Sequence, residues 1–187
     1  MNPFVVDANV MNYFQIERVK GVSQAHAAIE AIFSISSIAL DADGRCQQEW
    51  LDCAAGTFPL ALSDWINDKL IEQKIQLYSL KNQPDYKTLM KLGIPKKDHK
   101  WVQLSVSSEA IALVTEDIDL IEPSKKSNST AKQREEIKQN GRGSVAKSLR
   151  KDHGVTVLCC QHVPEICAEL TPPPQPPSPT TAPNSAR

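Results

Sequence analysis

The sequence predicts an α/β fold in which a mainly parallel sheet of four to five strands carries helices on both faces. Three observations predict it. Short apolar runs at residues 4–6, 35–40, 110–115 and 155–159 alternate with longer segments of helical spacing, the order that builds βαβ units. The first run, Phe4-Val5-Val6, is continuous rather than alternating, as in a strand covered on both faces. Acidic residues also stand where runs stop: Asp7 closes the first, and Asp117 follows the third, two positions after Thr115. In an open parallel sheet, ligands bind beyond the carboxyl ends of the strands.

The elements follow in order. Phe4-Val5-Val6 reads as the first strand, and Asp7-Ala8-Asn9 as a turn behind it. Ser23 caps a helix over residues 25–33, with Ala25, Ala28, Ile29 and Ile32 as its apolar stripe. Residues 35–40 read as the second strand and Asp41-Ala-Asp-Gly44 as a turn. A helix from Arg45 carries Glu49, Trp50 and Leu51, and another covers residues 59–69. Residues 74–80 alternate apolar and polar and read as a minor strand. A helix over 85–92 ends at Gly93, and Asp98 opens a helix over 99–110 with Trp101, Val102, Val106 and Ala110 on one face. After the strand at 110–115 comes a polar insertion, residues 124–143. It places Lys125, Lys126, Lys132, Arg134, Lys138 and Arg142 against Glu135 and Glu136 and reads as a surface loop. A short helix over 145–151, a last strand at 155–159 and a last helical turn or two at 164–170 complete the domain. From Thr171 the chain is rich in Pro, Ser and Thr and has almost nothing to bury. Residues 171–187 therefore read as an extended, disordered tail behind a single domain of residues 1–170.

Bulk properties exclude several classes. The net charge is −1, so the chain as a whole is not a polyelectrolyte binder, and contact with nucleic acid must come from a local patch. No stretch spans a membrane: the longest apolar candidate, residues 25–40, contains His26 and Glu30 and is too short. The five cysteines are odd in number, lack paired zinc spacing and follow no basic leader. This predicts free thiols and a cytoplasmic location.

Four acidic positions carry the chemistry: Asp7, Glu49, Asp98 and Asp117, with Asp119 beside the last. Each has a bland reading of its own. Asp7 suits a turn, Asp98 in Lys96-Lys97-Asp98-His99-Lys100 suits a helix N-cap, Glu49 suits a helix surface, and Asp117-Ile118-Asp119 suits a solvated turn. Their joint order is less easily dismissed. It runs strand–Asp, helix–Glu, helix–Asp, strand–Thr-x-Asp. Carboxylates that converge repel one another unless a cation or proton neutralises them. A set of oxygen ligands alone suits Mg²⁺ or Mn²⁺, the cofactors of metal-dependent phosphodiester hydrolysis. Lys96, Lys97, Lys125 and Lys126 are candidate contacts to a phosphate backbone, a sequence-independent mode of binding.

Four segments resemble the PIN-domain nucleases. They are Val5-Val6-Asp7-Ala8-Asn9-Val10; Leu40-Asp41-Ala-Asp-Gly44 followed by Gln48-Glu49-Trp50; residues 92–102 around Asp98; and Ala112-Leu-Val-Thr115-Glu-Asp117-Ile-Asp119. They arrive in the family's order and cover most of residues 4–170. The resemblance implies a three-layer α/β/α sandwich and Mg²⁺- or Mn²⁺-dependent endonucleolytic cleavage of RNA. It implies Asp7, Glu49, Asp98 and Asp117 as the catalytic, metal-holding quartet, Asp119 as a fifth ligand, and Asn9 and Thr115 as supporting residues. It also implies the toxin half of a toxin–antitoxin or defence system, with an antitoxin or other protein and a second copy of the chain as candidate partners. The insertion at 124–143 and the Pro-rich tail depart from the shorter members. Two other readings compete: a structure-specific DNA nuclease, and an inactive PIN-like module that binds RNA or protein. The intact quartet favours an enzyme.

Overall fold

A computed structural model describes residues 1–20, 23–54, 59–81 and 84–171. The Pro-rich segment read as a disordered tail lies, beyond Thr171, outside the described residues.

Five strands form one sheet: β1 (Phe4–Val6), β2 (Ile38–Asp41), β3 (Ile75–Tyr78), β4 (Ala112–Val114) and β5 (Thr156–Leu158). Every pairing is parallel, and the spatial order is β3-β2-β1-β4-β5. Val5 lies opposite both Ala39 of β2 and Leu113 of β4. The three central strands are fully buried along their length, which accounts for their continuous apolar runs. The minor strand expected at 74–80 is the edge strand β3, shorter at Ile75–Tyr78, and its apolar–polar alternation is not matched by burial, since Gln76 and Leu77 are both exposed.

Among the described residues eight helices connect the strands, α1 (Ala8–Lys20), α2 (Gln24–Ile35), α3 (Arg45–Ala54), α4 (Pro59–Ile71), α5 (Tyr86–Lys91), α6 (His99–Ser107), α7 (Ala131–Asn140) and α8 (Ser144–His153), and a ninth, α9 (Val163–Leu170), follows β5. On one side α1 packs on α2 and α3, α3 on α4, and α2 on α9. On the other, α6 lies against β1, β2 and β4, and α8 against β5. The result is a three-layer α/β/α sandwich. Helices leading leftward from β1 to β2 and β3 occupy one face, and those leading back to β4 and β5 the other, as right-handed crossovers require. Strand order therefore reverses between β1 and β4, and a crevice opens there at the carboxyl ends.

Several expectations need correction. The residues after Asp7 are not a turn: α1 begins at once, with the Asp7 carbonyl accepting from the amides of Val10 and Met11. The second strand does not start at Ile35, which ends α2; Ser36 caps that helix and the strand begins at Ile38. The third strand is shorter than 110–115, and α6 stops at Ser107 rather than at 110. The insertion is not a plain loop. It contains α7, started by a reciprocal capping box between Thr130 and Gln133 and ended by Gly141 in the left-handed region.

Candidate metal centre

The reversal point gathers the acidic residues. Asp7 leaves β1, and its amide donates to the carbonyl of Val114 at the end of β4 (3.0 Å). This brings it beside Thr115, whose hydroxyl donates to Asp7 Oδ2 (2.7 Å) and accepts from the amide of Asp117 (2.9 Å). Asp117 Oδ1 in turn accepts from the amide of Asp119 (2.9 Å), folding the chain into a 3-10 turn over Ile118–Leu120. Asn9, on the first turn of α1, accepts from the amide of Glu116 (3.2 Å). The two residues expected to support the site thus fix the loop after β4 against the start of α1.

Asp98 arrives from the other layer, in a 3-10 turn (Lys96–Asp98) that leads into α6. It makes no capping hydrogen bond to α6, so the N-cap role its position suggests is not the one it performs. Asp98 is 4% exposed, and its Oδ2 is buried with no hydrogen-bond partner. A buried unpaired carboxylate oxygen costs free energy.

One oxygen each from Asp98, Asp117 and Asp119 lies within 4.8 Å of the other two. A single octahedral shell around Mg²⁺ or Mn²⁺ has opposite oxygens about 4 Å apart, so this donor set could hold one such ion once the oxygens draw inward. Asp119, expected as the occasional fifth ligand, belongs to the tight group. It is buried rather than solvated.

Asp7 and Glu49 stand next to this triad rather than in it. Burial, with the nearby Asp117 and Asp98 carboxylates, pushes the Asp7 carboxyl up to about 7 despite the Thr115 hydrogen bond. Burial likewise raises Asp98 to about 6; Lys97 opposes this, and Asp117, Glu49 and Asp119 reinforce it. Asp7 and Asp98 thus both feel the charge of Asp117, and Asp98 that of Glu49 and Asp119 as well. Glu49 is held by Lys100, Nζ to Oε2 2.5 Å.

The placement of Glu49 depends on residues the sequence reading left in minor roles. The indole N–H of Trp50 donates to the carbonyl of Val6 (3.0 Å), tying α3 to the strand that ends in Asp7. Asp41 is the last residue of β2, not part of a free turn. Its buried carboxylate accepts from the amides of Arg45 (3.0 Å) and Cys46 (2.7 Å) at the start of α3. Burial acts to raise the Asp41 carboxyl, but these bonds outweigh it and hold it below the usual range. The Asp-x-x-Gly spacing with the positive φ of Gly44 carried that signal.

The expected phosphate contacts divide. Lys97 Nζ is 4.0 Å from Asp98 Oδ1 and largely exposed, while Lys96 lies over the ring of Tyr86. Lys126 is turned inward and pairs with Asp119. Lys125 lies in an exposed 3-10 turn (Pro123–Lys125). Of the other insertion cations, Arg134 bonds the carbonyls of Lys126 and Ser129, and Lys138 pairs with Glu116 and Glu135. His99 does not face the acids: it is buried, with Nε2 on the carbonyl of Ile94 (2.9 Å). Among the described residues Cys46, Cys53, Cys159 and Cys167 are free thiols, all but Cys53 of them buried, as is Cys160, and no helix is long and apolar enough to cross a membrane.

No protein-family model, curated protein or solved structure matches this chain.

Proposed function

We propose that the protein is a divalent-metal-dependent endoribonuclease of PIN-like type, in which Asp98, Asp117 and Asp119 hold Mg²⁺ or Mn²⁺ and Asp7 and Glu49 complete the acidic wall. The observation that carries this reading is the buried, unpartnered Oδ2 of Asp98 within 4.8 Å of two further carboxylates, at the strand-order reversal where α/β proteins bind ligands. When bound there, a divalent ion supplies an activated water and neutralises charge on the phosphoryl oxygens. The chain's own residues do the rest. Thr115 and Asn9 hold the loop carrying Asp117 and Asp119, and Trp50 and Asp41 hold the helix carrying Glu49. Exposed Lys97 and Lys125 attract the phosphate backbone without choosing its sequence. No side-chain nucleophile is needed. The resemblance to toxin-type PIN proteins adds the proposal that a cognate protein neutralises the activity.

The test is cleavage of end-labelled RNA, beside matched single-stranded DNA, in Mg²⁺, in Mn²⁺ and in EDTA. Asp98→Asn is the control for contamination. The expected result is metal-dependent cutting of RNA, abolished by EDTA and reduced at least a hundredfold in Asp98→Asn. Cutting of DNA alone would transfer the proposal to a DNA nuclease, and cutting of neither would sink the enzyme reading.

A further inference from the structure

The cluster holds more negative charge than one divalent ion neutralises, and the chain supplies part of the answer. Three of the five carboxylates already face lysines: Asp98 at a distance, with Lys97 Nζ 4.0 Å from its Oδ1, and Glu49 and Asp119 in closer pairs. Glu49 is paired with Lys100, whose ammonium also donates to the carbonyl of Lys97 (2.9 Å) and lies over the Trp101 ring. Asp119 is paired with Lys126. The two lysines differ in setting. Lys100 is mostly buried, whereas the Lys126 side chain is 55% exposed although its partner Asp119 is only 2% exposed. Lys126 thus reaches from solvent into the mouth of the centre.

Its backbone is fixed for that reach. The Lys126 amide donates to the carbonyl of Pro123 (3.1 Å), and its own carbonyl accepts from the Arg134 guanidinium (3.2 Å), which also grips Ser129 from the first turn of α7. Upstream, the Glu122 carboxylate accepts from the amide (2.7 Å) and hydroxyl (3.1 Å) of Ser144 at the start of α8. The insertion is thereby folded so that one ammonium lands on one acid of the triad. An ammonium is a compact point charge, suited to stand where another cation would otherwise bind.

We propose that Lys126 is the second cation of the centre: its ammonium neutralises Asp119 in place of a second divalent ion, so that the site takes one ion per chain. This rests on the reading of the acidic cluster as a metal centre. It also gives the insertion a second role beside the backbone contact of Lys125, which is to supply a charge to the centre. Lys126 is a positioning residue, acting through Asp119.

The test counts Mn²⁺ bound to the full chain by titration calorimetry, with electron paramagnetic resonance of the unbound ion as a second measure. Wild type and Lys126→Arg bind one Mn²⁺ per chain. Lys126→Gln binds two, the second within about tenfold of the first in affinity. Lys132→Gln, which alters an exposed cation of α7, behaves as wild type. Circular dichroism confirms that each variant is folded, a mild demand for an exposed side chain. Two ions on the wild type, or one ion on Lys126→Gln with unchanged affinity, overturns the inference and leaves the metal centre standing. No Mn²⁺ on folded wild type overturns both.

Discussion

Thr115 shows how much of the site rests on one side chain. It is fully buried, and its hydroxyl is shared between the Asp7 carboxylate and the Asp117 amide. The donation to Asp7 favours the charged carboxylate, opposing the burial that raises it. Thr115→Val keeps the shape and removes both bonds. The Asp7 carboxyl then moves further up, so the pH at which Mn²⁺ binding reaches half its plateau shifts upward. Stability falls by about 1–3 kcal/mol, the usual cost of an orphaned buried polar group. Thr115→Ser restores both. Urea unfolding and Mn²⁺ titration from pH 5.5 to 8.5 measure the two effects. An unshifted binding curve in Thr115→Val would remove Thr115 from the site. The supporting role of this residue was implied only by the resemblance of residues 112–119 to the PIN-domain nucleases. Asp98 was legible only in position. Its sequence context fits a cap equally well, and only the orphaned Oδ2 separates the two roles.

Elements were legible where burial and periodicity agree. The central strands announce themselves because both faces are covered, and α2 shows its stripe because one face is. By contrast, α1 was missed: Asn9, Asn12 and Gln15 interrupt its pattern, and Asp-Ala-Asn mimics a turn. Its buried face, Ala8, Val10, Met11 and Phe14, is visible only once β1 and α3 are in place. The helix α7 is polar all round, with Ile137 alone packed on the core. Its signal was the capping box and Gly141, which is local chemistry rather than hydrophobic pattern. The function of α3 as an element turns on Trp50, whose indole N–H satisfies the last carbonyl of β1. Trp50→Phe retains a ring and orphans that carbonyl. It destabilises by about 1–3 kcal/mol, a midpoint shift readable by urea unfolding, and loosens Glu49 from the acidic wall. An unchanged midpoint would mean that the carbonyl finds another donor and that α3 is held by packing alone.

At the scale of the molecule, the strand order gathers acids from distant stretches of chain into one buried patch, and the fold must tolerate it. Sequence order gave the strands and their alternation with helices. It could not give the side-chain pairings of Lys126 and Lys100, which depend on how the insertion and α6 pack after folding. The cost of the patch is visible as a dependence of stability on pH. Asp7 and Asp98 titrate near 7 and 6 in the folded chain, against an ordinary value of 3.8. A carboxyl raised in the folded state binds its proton more tightly there than in the unfolded chain. Its stabilising contribution is full below about pH 4 and is lost as pH rises through 6 and 7. Asp41 and Glu122 are lowered, Asp41 by its bonds to α3 and Glu122 by its bonds to Ser124 and Ser144, each against burial. Their contribution is present above the ordinary carboxylate range and is lost on acidification. In EDTA the melting temperature therefore peaks between about pH 4 and 5, falls from there to about pH 7, and levels off above. Saturating Mn²⁺ binds the ionised carboxylates and must displace their protons. The stabilisation it gives is small at pH 5 and grows through pH 6 to 8. Asp98→Asn removes one of the raised carboxyls, so its EDTA curve is flatter and its response to Mn²⁺ is reduced. Scanning calorimetry across this range, with and without Mn²⁺, reads all of this. A melting temperature in EDTA that climbs steadily from pH 5 to 8 would show that the cluster is not strained by its own charge, and with it would go the physical reason for a cation to bind there.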